Sequence, residues 1–459
     1  MGKKIIVIGG GIAGLAMAYE CLLRGDEVLL VERTNEVGGI SRSIKDNDCL
    51  LDIGAHIINL KDKEVFAKVN EIVPREQMVK ITRKLKLYIK GRFIDWPPSS
   101  FSALQLPVDF SLRILLDQLF MGKKTGQSFG NFRDELIAIY GSTLYYNLFD
   151  PLTRKFLKED PASIHADWAF SSLRTATKIE DRSFKDSYNF LPEKTDAEAK
   201  KDFNLIKFLI NSVNINKEAE KFYYFKNGFG TLTECYKEKI LALGGRVLTS
   251  AQVEKFSLSG NRIKECVING ENYQADQVIW TGYLFDLCQL LEIKKPNLEF
   301  LHSKIVYFYL KQKSLDHQSS YYIDPDISFS RATLFANFSP TVIHNNNVKE
   351  IICFEHSIRN KEELSGENAS LVKLTAKDAI KAGLIDDESD IVGSYVISVM
   401  NTYPILKLNY KQELAKTMDK LKDPAFVNNL AVFGRQAEFS YDNVDTSIKS
   451  AINHPLFKQ

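Results

Sequence analysis

Along its 459 residues the chain changes hydrophobic rhythm several times. Lys4 to Ile8 is a short β-branched run of the kind that forms a buried strand, and Val28 to Val31 is a second, with a helical stretch between them. Residues 62–82 read as a helix. "KLKLYIKGRFIDWPP" then alternates apolar and polar positions about Lys90-Gly91, a hairpin pattern stopped by a proline pair. Residues 101–180 carry aromatic and apolar positions at helical spacing and predict a helical module, while the charged stretch 191–204 predicts a surface excursion. From 222 a glycine turn, a helix and two strands follow. Hairpins come next, about Gly260 and Asn269-Gly270, then a buried strand at 277–281. Residues 298–358 hold several strand-like runs, and the chain closes on an apolar strand, Gly434-Arg435, a polar turn and a helix.

Composition narrows this picture only a little. The length suggests two or three domains, and 44% hydrophobic with 26% charged residues is ordinary for a globular protein. Sixty basic against 58 acidic residues leave +2, which gives no support to nucleic-acid binding by net charge. The six cysteines form no CxxC pair and read as free thiols in a reducing compartment. No apolar run reaches the roughly 18 residues of a membrane span. "MGKKIIVIGGGIAG" has the charge-then-apolar order of a secretion signal, but its glycines break the run, so the expected compartment is the cytoplasm. "SLRILLDQLFMGKK" (111–124) fits a buried helix or one lying on a membrane surface. The seven histidines show no metal-ligand spacing with carboxylates, and no GxSxG turn is present; neither a metal centre nor a serine hydrolase is expected.

The amino-terminal segment carries the sharpest chemistry. Gly9, Gly11 and Gly14 satisfy GxGxxG between a strand and a helix. The first glycine allows the tight turn, the second lets a pyrophosphate approach the backbone, and the third lets helix and strand pack closely. The helix points free N–H groups and its positive dipole end at that pyrophosphate. Glu32 ends the second strand, where an acidic residue accepts ribose hydroxyls. The motif specifies a dinucleotide without choosing which. Gly38 and Gly39 then give another close backbone approach, and Arg42 offers a forked donor for phosphate.

This extension resembles the flavin-binding signature of the amine oxidase, protoporphyrinogen oxidase and phytoene desaturase superfamily, which implies FAD as the cofactor. Further segments, in order, resemble the UDP-galactopyranose mutases and their flavoprotein relatives: "IGAHIINLKDKEVF", "LYIKGRFIDWPP", "YYFKNGFGTLTE", "VIWTGYLFD", "DPDISFSRATLFANFSP", "NTYPIL" and "FGRQAEFSYDNVD". The resemblance implies an α/β architecture: a two-dinucleotide-type FAD-binding fold, with a parallel sheet and helices, at residues 1–75, 222–295 and 425–459. A mainly helical substrate module is inserted at 76–221 and an antiparallel substrate-domain sheet at 296–424. His56 alone reads as a packing histidine; the resemblance puts it against the flavin, with Gly54 small so that the backbone approaches the ring. It also implies Arg331 as a diphosphate clamp, Tyr403 and Tyr441 as hydroxyl donors to the same anion, and Gly434 with Arg435 against the flavin or its pyrophosphate. Asp445 falls near the ribityl chain or ring edge, and Val253 is a further cofactor contact. A second clamp cation falls at Lys178, with Arg174 or Arg182 as substitutes, and Asn443 follows Tyr441-Asp442 where the mutases have an aspartate. "KFLKEDPASIHADWAFSSLR" resembles the protoporphyrinogen-oxidase-like flavoproteins at least as closely.

Two enzymatic expectations follow, and a flavin-bearing binding protein is a third. The first is a flavoenzyme acting on a nucleotide-linked sugar in glycan synthesis, interconverting pyranose and furanose rings, its flavin reduced by NADPH or NADH. The second is an oxidase or dehydrogenase of the amine oxidase or protoporphyrinogen oxidase type. No aromatic cage of the amine oxidase kind is identifiable in the sequence. The oligomeric state is not readable from it.

Overall fold

The computed structural model describes residues 2–96, 112, 113, 116, 117, 130–170 and 222–457. Strand β1 (Lys4–Ile8) leads through a glycine turn into helix α1 (Ile12–Leu23) and strand β2 (Glu27–Val31). A hairpin of β3 (Ser43–Asp46) and β4 (Cys49–Asp52) follows, then the short β5 (Ile58–Asn59). Helix α2 covers only Lys63–Ile72, started by the Asp62 side chain accepting the Glu64 and Val65 amides. The helix expected over 62–82 is thus too long. It gives out at Val73-Pro74, and Met78–Ile81 becomes β6, pairing antiparallel with β9 (Phe222–Phe225). The hairpin about Lys90-Gly91 is β7 (Leu85–Ile89) with β8 (Arg92–Trp96).

Within the helical stretch, α3 (Phe132–Tyr140) and α4 (Asp150–Leu157) flank a π-helical turn at Tyr145–Phe149. After β9 come α5 (Gly230–Ala242), β10 (Arg246–Leu248), the meander β11 (Val253–Ser259), β12 (Arg262–Ile268) and β13 (Glu271–Gln274), then β14 (Gln277–Trp280) and α6 (Leu284–Leu290). The substrate-side sheet uses β15 (Glu299–Leu310), β16 (Ser319–Tyr322), β17 (Arg331–Leu334), β18 (Glu350–Ile358) and, after α7 (Asn368–Lys381), β19 (Ile391–Ile405). Helix α8 (Tyr410–Lys422), β20 (Leu430–Val432) and α9 (Val444–Ile452) end the described chain.

The fold is mixed α/β. A five-stranded sheet, in the order β10-β2-β1-β14-β20, is parallel throughout. A seven-stranded sheet, β19-β15-β18-β17-β16-β7-β8, is antiparallel except where β16 meets β7. Strand β15, second from the β19 edge, is buried along almost its whole length, flanked by β18 and β19. We propose the five-segment division as the domain plan, with residues 85–96 contributing strands β7 and β8 to the substrate sheet. Residues Arg174, Lys178 and Arg182 and the excursion at 191–204 lie outside the described residues, as does most of 111–124. Among the described residues, no helix is long and apolar enough to cross a membrane.

Candidate functional site

A cavity of about 1430 Å³ runs between the two sheets and takes its lining from both. At one end the chain meets it mostly with backbone. Gly9 turns at φ +106, and a Cβ there would stand 2.5 Å from the Thr281 hydroxyl. Gly11 begins α1 without any side-chain cap, and a Cβ on it would meet nothing within 4 Å. A bare glycine face and uncapped helix N–H groups therefore open onto the cavity, which is the cradle a pyrophosphate needs. Glu32 is buried at the end of β2. It accepts the Gly10 amide at 2.7 Å and the Thr34 amide and hydroxyl at 2.8 Å each, so the carboxylate expected to meet a ribose also locks the glycine turn.

Gly38 and Gly39 pack against that turn. The Gly38 amide donates to Gly10 O at 2.7 Å, and a Cβ on Gly39 would lie 3.3 Å from Gly11 Cα. Arg42, expected as a phosphate donor, donates to Gly39 O at 2.7 Å and braces that loop. Val253 and Asp445 also line the cavity, Asp445 in the first turn of α9, where burial lifts its carboxyl to about 6. A glycine cradle, an uncapped helix end and a buried carboxylate at the end of β2 together fit FAD.

Gly14, Gly54 and Gly434 stand behind the lining, not on it. A Cβ on Gly14 would lie 1.9 Å from Gly9 O, so this glycine serves helix–strand packing; one on Gly434 would lie 2.7 Å from Ala13 Cβ. Gly54 was expected to be small for the sake of the ring. Instead it adopts φ +81 and a Cβ on it would point at the Glu355 carboxylate, 3.2 Å away.

Side chains build the other end. Arg331 starts β17 directly opposite Glu355 on β18. Its Nε and Nη2 each donate to a different carboxylate oxygen at 2.7 Å, a bidentate pair with the side chains only 15% and 7% exposed. Arg331, expected as a diphosphate clamp, thus has two of its donors and its net charge committed to Glu355. The Tyr403 and Tyr441 rings stack with centroids 5.5 Å apart at 16°, and the Arg435 guanidinium lies over both, at 5.0 and 4.4 Å. Arg435 donates to Thr402 O at 2.6 Å, while its Nε is buried with no hydrogen-bond partner. Phe156 and Trp168 close the outer side edge-on, at 4.9 and 5.4 Å from Tyr403 and Tyr441. Burial holds both tyrosine hydroxyls above their ordinary range, even beside the two arginines, so they stay protonated donors.

His56 lines the same cavity. Its ring lies 5.3 Å from Phe229, and Nδ1 is 3.3 Å from Gly54 O. Burial, and then the positive Arg331, pushes its pKa down to about 4, so the imidazole is neutral at neutral pH.

Asp52 sets the position of Phe229. Its carboxylate accepts Ser43 Oγ and Tyr224 Oη at 2.5 Å each and the Phe229 amide at 2.9 Å, and burial raises its pKa to about 6. Glu355, Asp52 and Phe229 were not singled out from the sequence. Only strand register and the return of the chain at 222–230 bring them here. Among the described residues, no group of three histidine, cysteine or acidic side chains could hold a metal ion.

Residues 12–330 match the family model for flavin containing amine oxidoreductases. Protoporphyrinogen oxidase 2, chloroplastic/mitochondrial, of Arabidopsis thaliana is 26% identical over 187 residues, covering 39% of this chain and 37% of that protein. The 4,4'-diapolycopen-4-al dehydrogenase of Metabacillus indicus is 22% identical over 294 residues, 61% of this chain and 55% of that one. The chain thus spans between about a third and just over half of these curated relatives. In fold it is similar to a reduced UDP-galactopyranose mutase, with a TM-score of 0.77 at 18% identity over 100% of this chain and 96% of the other.

Proposed function

The chain belongs to the family of flavin-containing amine oxidoreductases and is an FAD-dependent enzyme, and on that premise we propose that it acts on a nucleotide-linked sugar, interconverting pyranose and furanose rings in glycan synthesis. One observation carries the reading: Arg331–Glu355, Tyr403, Tyr441, Arg435 and His56, from five separate segments, all line one cavity that is continuous with the dinucleotide cradle. Reduced FAD, when bound, supplies the electron-rich centre that such chemistry requires.

The chain's own residues do the rest. Arg435 and the two phenols form a donor wall for a diphosphate. Arg331 keeps Nη1 for the same anion, while Glu355 holds the guanidinium plane and offers remaining lone pairs to sugar hydroxyls. Neutral His56 donates or accepts one hydrogen bond beside the ring-binding space without adding charge. The aromatic edges of Phe156 and Trp168 keep water from the stack. NADPH or NADH as the source of electrons and the cytoplasm as the compartment belong to this proposal.

A second reading has its own observation. Phe132, Leu136, Phe149, Leu152, Phe156 and Leu157 give the cavity an apolar wall, suited to an oxidase or dehydrogenase that takes a largely apolar substrate. The two relatives above carry oxidase and dehydrogenase names.

Anaerobic turnover distinguishes the two. The FAD-loaded protein, reduced chemically and mixed with UDP-hexoses, should release an isomerised UDP-sugar, separable by chromatography, with no peroxide and no activity in the oxidised state. Bleaching of oxidised enzyme by an apolar substrate, with peroxide formed on admitting air and no sugar isomerised, sinks the first reading and supports the second.

A further inference from the structure

Strand β19 does not run evenly along β15. Leu301 pairs with Tyr403 and Ser303 with Val399, so three residues, Met400 to Thr402, stand opposite the single His302. Asn401, at their centre, takes the left-handed conformation with φ +54. Bulges of this kind re-aim side chains beside functional sites. Here Met400, Thr402 and Tyr403 all line the cavity, although successive residues of a regular strand face opposite sides.

The bulge is held from two directions. Its three carbonyls are taken by the nucleotide-binding half: Tyr283 Oη donates to Met400 O at 3.3 Å, Gln436 to Asn401 O at 2.7 Å and Arg435 to Thr402 O at 2.6 Å. From the other side, the Asn401 amide donates to His302 Nδ1 at 2.9 Å. His302 is buried but, unlike its neighbour Ser303, does not line the cavity. A backbone N–H can only donate, so Nδ1 is unprotonated and the imidazole is neutral. A proton on Nδ1 would set two donors against each other and leave the Asn401 amide unpaired. Burial, then Lys361, holds the His302 pKa below its ordinary value, with Glu362 acting the other way. Lys361 and Glu362 follow β18. Lys304, two residues along β15, is taken by Gly366 O, and Arg359, beside Ile358 opposite His302, is paired with Glu159 and Glu299. Strand β19 brings no charge, since none occurs from Ile391 to Leu406.

We propose that His302 is a positioning residue: its neutral imidazole fixes the β19 bulge that delivers Thr402 and Tyr403 to the side-chain end of the cavity. Protonation withdraws the acceptor, loosens the bulge and weakens ligand binding as pH falls. The histidine acts from behind the sheet, through Asn401, and is not itself part of the cavity wall. The ligand used below rests on the sugar-nucleotide reading; the role of His302 in the bulge does not.

The test compares full-length, FAD-loaded wild type with His302→Asn and His302→Phe. Asparagine Oδ1 stands where Nδ1 stood and accepts at any pH; phenylalanine keeps a ring without an acceptor. The His302 protonation midpoint is read by NMR on 15N-labelled histidine. In equilibrium dialysis against UDP-galactose, wild type and His302→Asn should bind alike at pH 8. Below the midpoint the wild type should fall about tenfold behind His302→Asn, and His302→Phe should be about tenfold weak throughout. A ratio of wild-type to His302→Asn affinity that is the same on both sides of the midpoint overturns the proposal. So does a His302→Phe variant that binds as wild type does at pH 8. If UDP-galactose binds none of the three, the sugar-nucleotide reading fails and hydrogen exchange decides this one. The Asn401 amide should then be protected in wild type only above the midpoint, in His302→Asn on both sides and in His302→Phe on neither. Equal protection in all three overturns the proposal. If the variants lose FAD, the wild type alone decides: Asn401 protection that persists below the His302 midpoint sinks the positioning role.

Discussion

At one end of the cavity Gly9, Gly11, Gly38 and Gly39 meet the space with backbone; at the other Arg331, Glu355, Tyr403, Arg435 and Tyr441 meet it with charge and aromatic rings. The backbone end comes from one stretch of about thirty residues held by a single strand–turn–helix unit. The side-chain end is assembled from β17, β18, β19 and the turn after β20, each delivering one or two groups. Backbone recognition depends on the absence of atoms, so it fails when atoms are added. Side-chain recognition depends on matched pairs, so it fails when one partner goes.

The largest effects should come from adding a methyl group at the backbone end, and they should differ by position. Gly14→Ala places Cβ 1.9 Å from a backbone oxygen that cannot move aside, and the folded, FAD-loaded protein should be lost. Gly11→Ala meets nothing in the chain; thermal melts should barely change, yet FAD affinity should fall about 100-fold, or about 2.7 kcal/mol. Yellow Gly11→Ala protein surviving gel filtration unchanged would remove Gly11 from the cradle.

Next comes the buried ion pair. Glu355→Ala leaves Arg331 charged and alone and should cost about 3–5 kcal/mol in denaturant unfolding. Arg331→Met with Glu355→Leu, which removes both charges, should recover most of that stability while sugar-nucleotide binding stays lost. If the double variant is as unstable as the single one, the pair is not acting as a self-contained unit.

Removing one hydroxyl from the stack should matter less. Tyr403→Phe and Tyr441→Phe keep the rings and the cation above them, so FAD retention should be unchanged and KM should rise about tenfold, about 1.4 kcal/mol each. Equal loss of FAD and substrate binding would show that the stack belongs to the cofactor end.

The smallest effect is the pH response of His56. Its folded pKa of about 4 lies below the ordinary 6.5, so the unfolded chain takes up the proton first. Its contribution to stability is therefore intact above about 6.5 and declines as pH falls from there towards 4. Asp52, with its pKa raised to about 6, acts in the opposite direction over 6 to 4, because the folded state is protonated first. An NMR titration should show the His56 imidazole still neutral at pH 5.5; a midpoint near 6.5 would mean that the ring is neither buried nor held beside Arg331.

The dinucleotide end was legible because everything it needs is local. Glycines at 9, 11 and 14, a strand before, a helix after and Glu32 at the next strand's end all follow from spacing within one unit. The hairpins at Lys90-Gly91, Gly260 and Asn269-Gly270 were legible for the same reason: each turn carries its own conformational signature. Helix α2 was overextended because periodicity alone could not show that Met78–Ile81 has a strand partner almost 150 residues away in β9.

For the side-chain end, the family resemblance suggested Arg331, Tyr403, Arg435 and Tyr441 as candidates but not how they meet. Glu355 sits in an apolar strand with no local motif, and only the β17–β18 register puts it on Arg331 and beneath Gly54. The stacking of Tyr403 on Tyr441 under Arg435 joins β19 to the turn after β20 across the sheet boundary. Sequence by itself determined the nucleotide-binding turn, because short-range sterics and hydrogen bonding leave a glycine turn few choices. Tertiary structure alone decided which charges are free and which are paired, because that depends on strands meeting from distant parts of the chain.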